Sequence, residues 1–248
     1  MPQSSLASQI YRITRIVIHT ITGLIIAAIF LPLLRKDTKL AIIKWWCAGL
    51  LRAFHIKVIT FGTLPPISTK GVMFVANHVS WSDIHALNSK IALRFIAKSE
   101  IRSWPVFGYL VEKANTLFID RSKRQEAGKI VEITSASLLA GDNLCFFPEG
   151  TTTDGKQVLP FKSSVLQAAI AANACIWPVA IRYVNVDGSI NTHMSYAGEM
   201  SLIESMQQVI KQKNAIVELH FLNPINSTNQ NRRDLTQAAY NAIVSKLA

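Results

Sequence analysis

The 248-residue chain is long enough to bury a proper core, as one large domain or as a catalytic domain with a short appendage. Half of the residues are hydrophobic and 17% are charged, which excludes a disordered chain and is apolar for an ordinary soluble domain. The excess of 26 Lys and Arg over 15 Asp and Glu predicts an anionic partner: nucleic acid, anionic lipid or a phosphorylated substrate.

In chain order, the first element is an uncharged run from Ile16 to Leu34, bracketed by Arg12 and Arg15 before it and Arg35 and Lys36 after it. As a helix it measures roughly 28 Å, the thickness of a bilayer's hydrocarbon core. A cleaved signal peptide fits less well, because the run is long and Pro32-Leu-Leu-Arg-Lys36 has no small-residue cleavage site. Leu40 to Leu51 is too short to span. Its Trp45 and Trp46, set between Lys44 and Arg52, suit a helix at the headgroup level, and a core helix is the alternative. We expect residues 1–54 to form a membrane-embedded helical segment. By the positive-inside rule the denser positive charge after the run predicts that the rest of the chain faces the cytoplasm; the membrane expected is a bacterial inner membrane. A hairpin entering one leaflet satisfies the same sequence, given His19 and Pro32 inside the run.

Residues 55–248 read as an α/β domain. Strands are expected at Ile56–Phe61, Val72–Ala76, Leu93–Ala97, Thr116–Ile119, Asn143–Phe147, Ile176–Tyr183 and Ile216–Phe221. Most are apolar throughout, as strands covered on both faces are. Helices are expected at Lys123–Ala140, with a Ser122/Gln125 capping box and a Gly141 stop, and at Lys162–Ala172, Ser201–Lys211 and Arg232–Leu247. Cys47, Cys145 and Cys175 are odd in number and far apart. They read as buried thiols in a reducing compartment, with neither a disulfide framework nor a zinc set.

Three places carry chemistry. Val72–Ala76 runs into Asn77-His-Val-Ser-Trp-Ser-Asp83, which puts a histidine and an aspartate at a strand end. A carboxylate that accepts from one imidazole nitrogen leaves the other free to take a proton. No Gly-x-Ser-x-Gly elbow surrounds Ser80 or Ser82, so they read as turn hydroxyls and the proton taken is the substrate's own. A zinc site on His78, Asp83 and His85 lacks a completing cluster. Second, Phe146 to Gly155 ends an apolar strand in Pro148-Glu149 and a Gly- and Thr-rich turn able to hold a polar headgroup. Third, Arg121 lies beside a helix start, a place for phosphate or for a pair with Asp120. Lys98 and Lys162 carry the same choice.

In this order the motifs resemble the PlsC-type lysophospholipid acyltransferases. Asn77-His78 through Asp83 is similar to the family's His-x4-Asp motif, Phe118-Ile-Asp-Arg121 to its second motif, Phe147-Pro-Glu-Gly-Thr151 to its third and Trp177-Pro-Val-Ala180 to its fourth. Ala97-Lys98-Ser-Glu100, Trp104 to Gly108 and Pro160-Phe-Lys162 fit as well. The resemblance implies a mixed sheet flanked by helices, as in the glycerol-3-phosphate acyltransferases. It also implies an acyl-CoA or acyl-carrier-protein donor, a lysolipid acceptor, and no metal or redox cofactor. His78 would be the general base oriented by Asp83. Lys98, Arg121, Glu149, Gly150, Thr151 and Lys162 would hold the acceptor. Basic residues flanking the apolar run account for much of the charge near anionic lipid, and no nucleic-acid recognition motif is visible.

Two places depart from the pattern, the first being Pro160-Phe-Lys162-Ser-Ser164, which lacks the glycine that often follows the lysine. Thr152 stands where the family's third motif commonly has arginine, which removes a bidentate phosphate ligand. The expected acceptor is lysophosphatidate, acylated at its sn-2 hydroxyl, with a lyso-ornithine lipid as the alternative.

Overall fold

The computed structural model describes residues 3–119 and 126–247. A helical hairpin comes first: α1 (Leu6–Ile25), continued by one π turn and a 3-10 turn to Leu33, then α2 (Lys36–Phe54). The sheet and its helices follow as β1 (Ile56–Gly62), β2 (Met73–Ala76), α3 (Ser82–Asn88), β3 (Arg94–Lys98), α4 (Phe107–Lys113), β4 (Leu117–Ile119), α5 (Glu126–Leu139), β5 (Leu144–Phe146), α6 (Gln167–Ala171), β6 (Ile176–Val184), α7 (Leu202–Lys211), β7 (Ala215–Phe221) and α8 (Arg232–Leu247).

The seven strands lie in the order β1-β7-β6-β2-β5-β3-β4, parallel at every pairing except β6 with β7. The sheet is therefore mixed, as expected. β2 shows why the strands read as unbroken apolar runs. Phe74 and Ala76 face one core with α2, α3 and α7, whereas Met73 and Val75 face a second core with α5, α6 and α8. All four are fully buried.

Two expectations about helices change. The stretch expected as Lys162–Ala172 is helical only over Gln167–Ala171, because the Lys162 amide donates to Pro148 O at 2.9 Å and holds the preceding residues against the Glu149 loop. The short helices α3 and α4 were not anticipated. The Ser122/Gln125 capping box lies outside the described residues. α7 carries a complete one, from Ser201 and Glu204.

The hairpin is fastened to the sheet and its helices at its start, its tip and its end. At its start, Arg12, only 2% exposed, donates to the carbonyls of Ile210 (3.1 Å), Gln212 (2.6 Å) and Lys213 (3.3 Å), capping the C-terminus of α7. At the tip, Lys36 Nζ pairs with Asp142 Oδ1 at 2.5 Å. At its end, Leu50, Leu51 and Phe54 of α2 enter the core. Leu6–Leu33 is long and apolar enough to cross a membrane. Its outer face carries Ile10, Val17, Ile21 and Leu33, all exposed.

Candidate active site

The site forms where β2, β5 and β3 end. Asn77, the residue after β2, adds one more rung to the sheet with its side chain: Nδ2 donates to Ile181 O at 2.9 Å and Oδ1 accepts from Ile181 N at 2.7 Å. The chain leaves the sheet there, and the next side chain, His78, turns into a cavity.

Five residues on, Asp83 sits in the first turn of α3 with no exposed surface. Its Oδ2 accepts from the amides of Val79 (2.8 Å) and Ser80 (2.9 Å) and from His78 Nδ1 (2.7 Å). Its Oδ1 accepts from the Tyr183 hydroxyl at 2.6 Å. A carboxylate can only accept, so His78 carries its proton on Nδ1 and presents the lone pair of Nε2. The buried Ser82 hydroxyl lies 2.7 Å from that of Tyr183 and donates to it. Burial, and then the Asp83 charge, push the Tyr183 phenol well above its usual range, which keeps it a donor.

The loop after β5 grips the backbone of His78 from both sides. Glu149 Oε1 accepts from the His78 amide at 2.6 Å, and the Thr153 amide donates to His78 O at 2.9 Å. The second oxygen of Glu149 accepts from Leu159 N at 2.8 Å. Burial pushes the Glu149 carboxyl up to about 6 against these two amide bonds. Gly150 turns the loop with φ +75°, a conformation that favours glycine. The Phe147 ring stacks on the His78 imidazole, centroids 4.0 Å apart at 11°. Thr152 Oγ1 donates to the carbonyl of Tyr196, whose amide donates to Val79 O at 2.9 Å.

His78 opens onto a cavity of about 550 Å³. Its walls are mostly apolar: Phe95 and Ile96 of β3, Trp104, Phe107 and Leu110 at α4, and Ile43, Trp46 and Cys47 of α2, with Lys98, Glu100, Thr151 and Thr152 among its polar residues. An apolar space with few polar groups beside an oriented imidazole suits a fatty chain whose reacting end meets a base.

A family model described as Acyltransferase matches residues 56–182. The chain belongs to the acyltransferase family. It is 34% identical to the lyso-ornithine lipid O-acyltransferase of Pseudomonas aeruginosa over 81% of this chain and 76% of that one. It is 37% identical to the 1-acyl-sn-glycerol-3-phosphate acyltransferase of Neisseria meningitidis over 70% of this chain and 68% of that one. The crystal structure of the 1-acyl-sn-glycerophosphate acyltransferase PlsC from Thermotoga maritima shares the fold, with a TM-score of 0.66 at 21% identity, covering 95% of this chain and 96% of that one.

Of the residues singled out in the sequence, His78, Lys98, Gly150 and Thr151 border one cavity, and Asp83 lies buried behind His78. Two expected headgroup ligands are placed otherwise. Glu149 is 3% exposed with each carboxylate oxygen on a backbone amide, the geometry of a brace for His78. Lys162 is exposed and does not border the cavity, since its loop turns away to pair with Pro148. Arg121 lies outside the described residues. Ser80 and Ser82 are fully buried, Ser80 in the turn after β2 and Ser82 as the first residue of α3. His85, offered above as a zinc ligand, packs edge-on to Trp46 (5.8 Å) and Trp81 (5.9 Å). Sequence reasoning read Tyr183 only as strand, and only the fold carries it back to Asp83; Phe147 stood in the third motif without a role of its own, and the structure stacks it on His78.

Proposed function

We propose that this acyltransferase moves a fatty acyl group from acyl-CoA or acyl-carrier protein to the sn-2 hydroxyl of lysophosphatidate, giving phosphatidic acid. The observation that carries the reading is His78, held by Asp83 at 2.7 Å, at the edge of an apolar cavity. His78 Nε2 takes the proton of the acceptor hydroxyl as its oxygen attacks the thioester carbon. The new C–O bond forms, the C–S bond breaks, and the imidazolium returns its proton to the leaving thiolate. The buried Asp83 stabilises the imidazolium meanwhile. The steps balance without a metal or redox cofactor. General-base help of this kind contributes about 10² to 10⁴ in rate. Lys98 at the cavity, with Arg121 and the Gly150-Thr151 turn, would take the phosphate.

A lyso-ornithine lipid is the second reading. Thr152 supplies no cation, its hydroxyl being given to Tyr196, and Glu100 borders the cavity with Lys98. An acceptor bearing both charges suits that pair.

In this reading the hairpin's outer apolar face lies in one leaflet of a bacterial inner membrane, with residues 55–248 on the cytoplasmic side. The contacts at Arg12, Lys36 and Phe54 favour a hairpin that leaves the bilayer on the side it entered.

The test offers the detergent-solubilised protein both lysolipids side by side with labelled acyl-CoA and acyl-carrier protein. Faster turnover of lysophosphatidate supports the first acceptor and faster turnover of the ornithine lipid the second. Folded protein that acylates neither sinks both.

A further inference from the structure

Part of the cavity wall comes from outside the catalytic sheet. α2 contributes Ile43, Trp46 and Cys47, one helical face at i, i+3 and i+4. Of these, Trp46 is fixed by α1. Its indole Nε1 donates to His19 O at 3.1 Å, and His19 Nε2 donates back to Trp46 O at 2.8 Å. The two rings stack, centroids 5.3 Å apart and 15° between planes.

This clasp needs two glycines. A Cβ at Gly23 would fall 2.3 Å from Trp46 Nε1, and one at Gly49 would fall 2.4 Å from His19 Cε1. The indole also meets the His85 ring edge-on at 5.8 Å. His85 in turn meets Trp81, whose Nε1 donates to Ser205 of α7 at 3.1 Å. Trp46 is thus wedged between α1 and α3, and it borders the cavity. His19, Gly23 and Gly49 do not border it. Their contacts serve the position of the indole.

We propose that Trp46, seated by His19, Gly23 and Gly49, is a specificity-determining residue that sets the length of the acyl chain taken from the thioester donor. This rests on the reading of the cavity as the donor's acyl site. Each methylene that gains a dry place raises kcat/KM about fourfold, until the chain meets a wall that does not yield. An indole held by its own hydrogen bond to His19 O, a stack on the His19 ring and a glycine notch is such a wall. A lone aliphatic side chain such as Ile43 yields more easily by changing rotamer.

The test measures kcat/KM for a series of saturated acyl donors of increasing length, with one lysolipid acceptor, on the full-length protein and on Trp46→Ala, Trp46→Phe and Gly23→Ala. Trp46→Ala should move the optimum to longer donors, with the ratio of longer to wild-type-optimal donor rising at least about tenfold, the gain of roughly two extra methylenes. Gly23→Ala crowds the indole towards the cavity and should move the optimum to shorter donors. Trp46→Phe should lie between wild type and Trp46→Ala. The profile is a ratio within one preparation, so a reduced folded fraction lowers every donor alike and shifts nothing. If Trp46→Ala yields no active protein, the other two variants carry the test. An unshifted profile in the active variants, at full or uniformly lowered rate, overturns the proposal. A folded wild-type protein that acylates no lysolipid with any donor would instead overturn the function on which it rests.

Discussion

The hydroxyl of Tyr183, in β6, donates at 2.6 Å to Oδ1 of Asp83, the oxygen that His78 does not use. The carboxylate has no exposed surface, so without this bond one of its oxygens would be buried unsatisfied. Tyr183→Phe should cost about 1–3 kcal/mol of stability and lower kcat about tenfold, the effect of about 1.4 kcal/mol lost at the transition state, through a less firmly held Asp83. KM for the lysolipid should stay within about twofold of wild type, because the phenol does not reach the substrate. Chemical denaturation and steady-state kinetics read the two effects separately.

Asp83→Asn keeps the size of the side chain but sets an amide against three N–H donors. His78 would then favour the wrong tautomer. We expect kcat to fall by about 10² to 10⁴, as for His78→Ala. The double variant should be no worse than the worse single one, since the two residues act as a unit. Additive losses in the double variant would show that they do not.

Glu149 distinguishes a brace from a ligand. Glu149→Gln leaves one oxygen for two amides, and its NH₂ must face the other. A brace for His78 predicts a fall in kcat of at least about tenfold, from loss of a buried charge-assisted hydrogen bond, with KM for the lysolipid unchanged. A headgroup ligand predicts a raised KM.

The same residue has a pH signature. Its carboxyl is raised from 4.5 to about 6, so the folded state holds a proton that the unfolded state has released. Glu149 therefore lowers stability as pH rises from about 4.5 to about 6, by about 2 kcal/mol in total. Unfolding free energies of wild type and Glu149→Gln across that window should diverge by this amount, with wild type losing ground towards pH 7. Parallel curves would contradict the assignment.

Arg12 joins the hairpin to α7 through three backbone carbonyls. Arg12→Ala should cost about 2 kcal/mol or more, the range for a partly buried cation at a helix C-terminus and its charge-assisted bonds. It should also speed proteolysis within residues 3–12. Arg12→Lys should rescue little, because one ammonium does not reproduce a planar fork. Limited proteolysis in detergent with mass mapping reads this directly.

Much of the molecule was legible in its residues. The seven strand runs were apolar because both faces of the sheet are covered, and Met73 to Ala76 shows that alternation between two cores. The His78–Asp83 pair was legible because the whole constellation closes within one strand-to-helix turn, five residues apart, where local chain geometry decides contact. The uncharged run at the N-terminus announced a helix of membrane length in the same way.

What the residues alone could not decide were contacts between segments distant in sequence. Glu149 looked like a ligand because a carboxylate at a loop is polar, and only the fold brought the His78 and Leu159 amides to its two oxygens. Tyr183 lies 100 residues from Asp83 and reaches it because β6 pairs beside β2. Trp45 and Trp46 read alike in sequence; packing turned one to the outside and clasped the other against His19. Periodicity and short spacing report local geometry, and they determined the elements and the His78–Asp83 pair. Register between distant strands and helices is set by tertiary packing, and that decided which side chains brace the histidine and which wall the cavity.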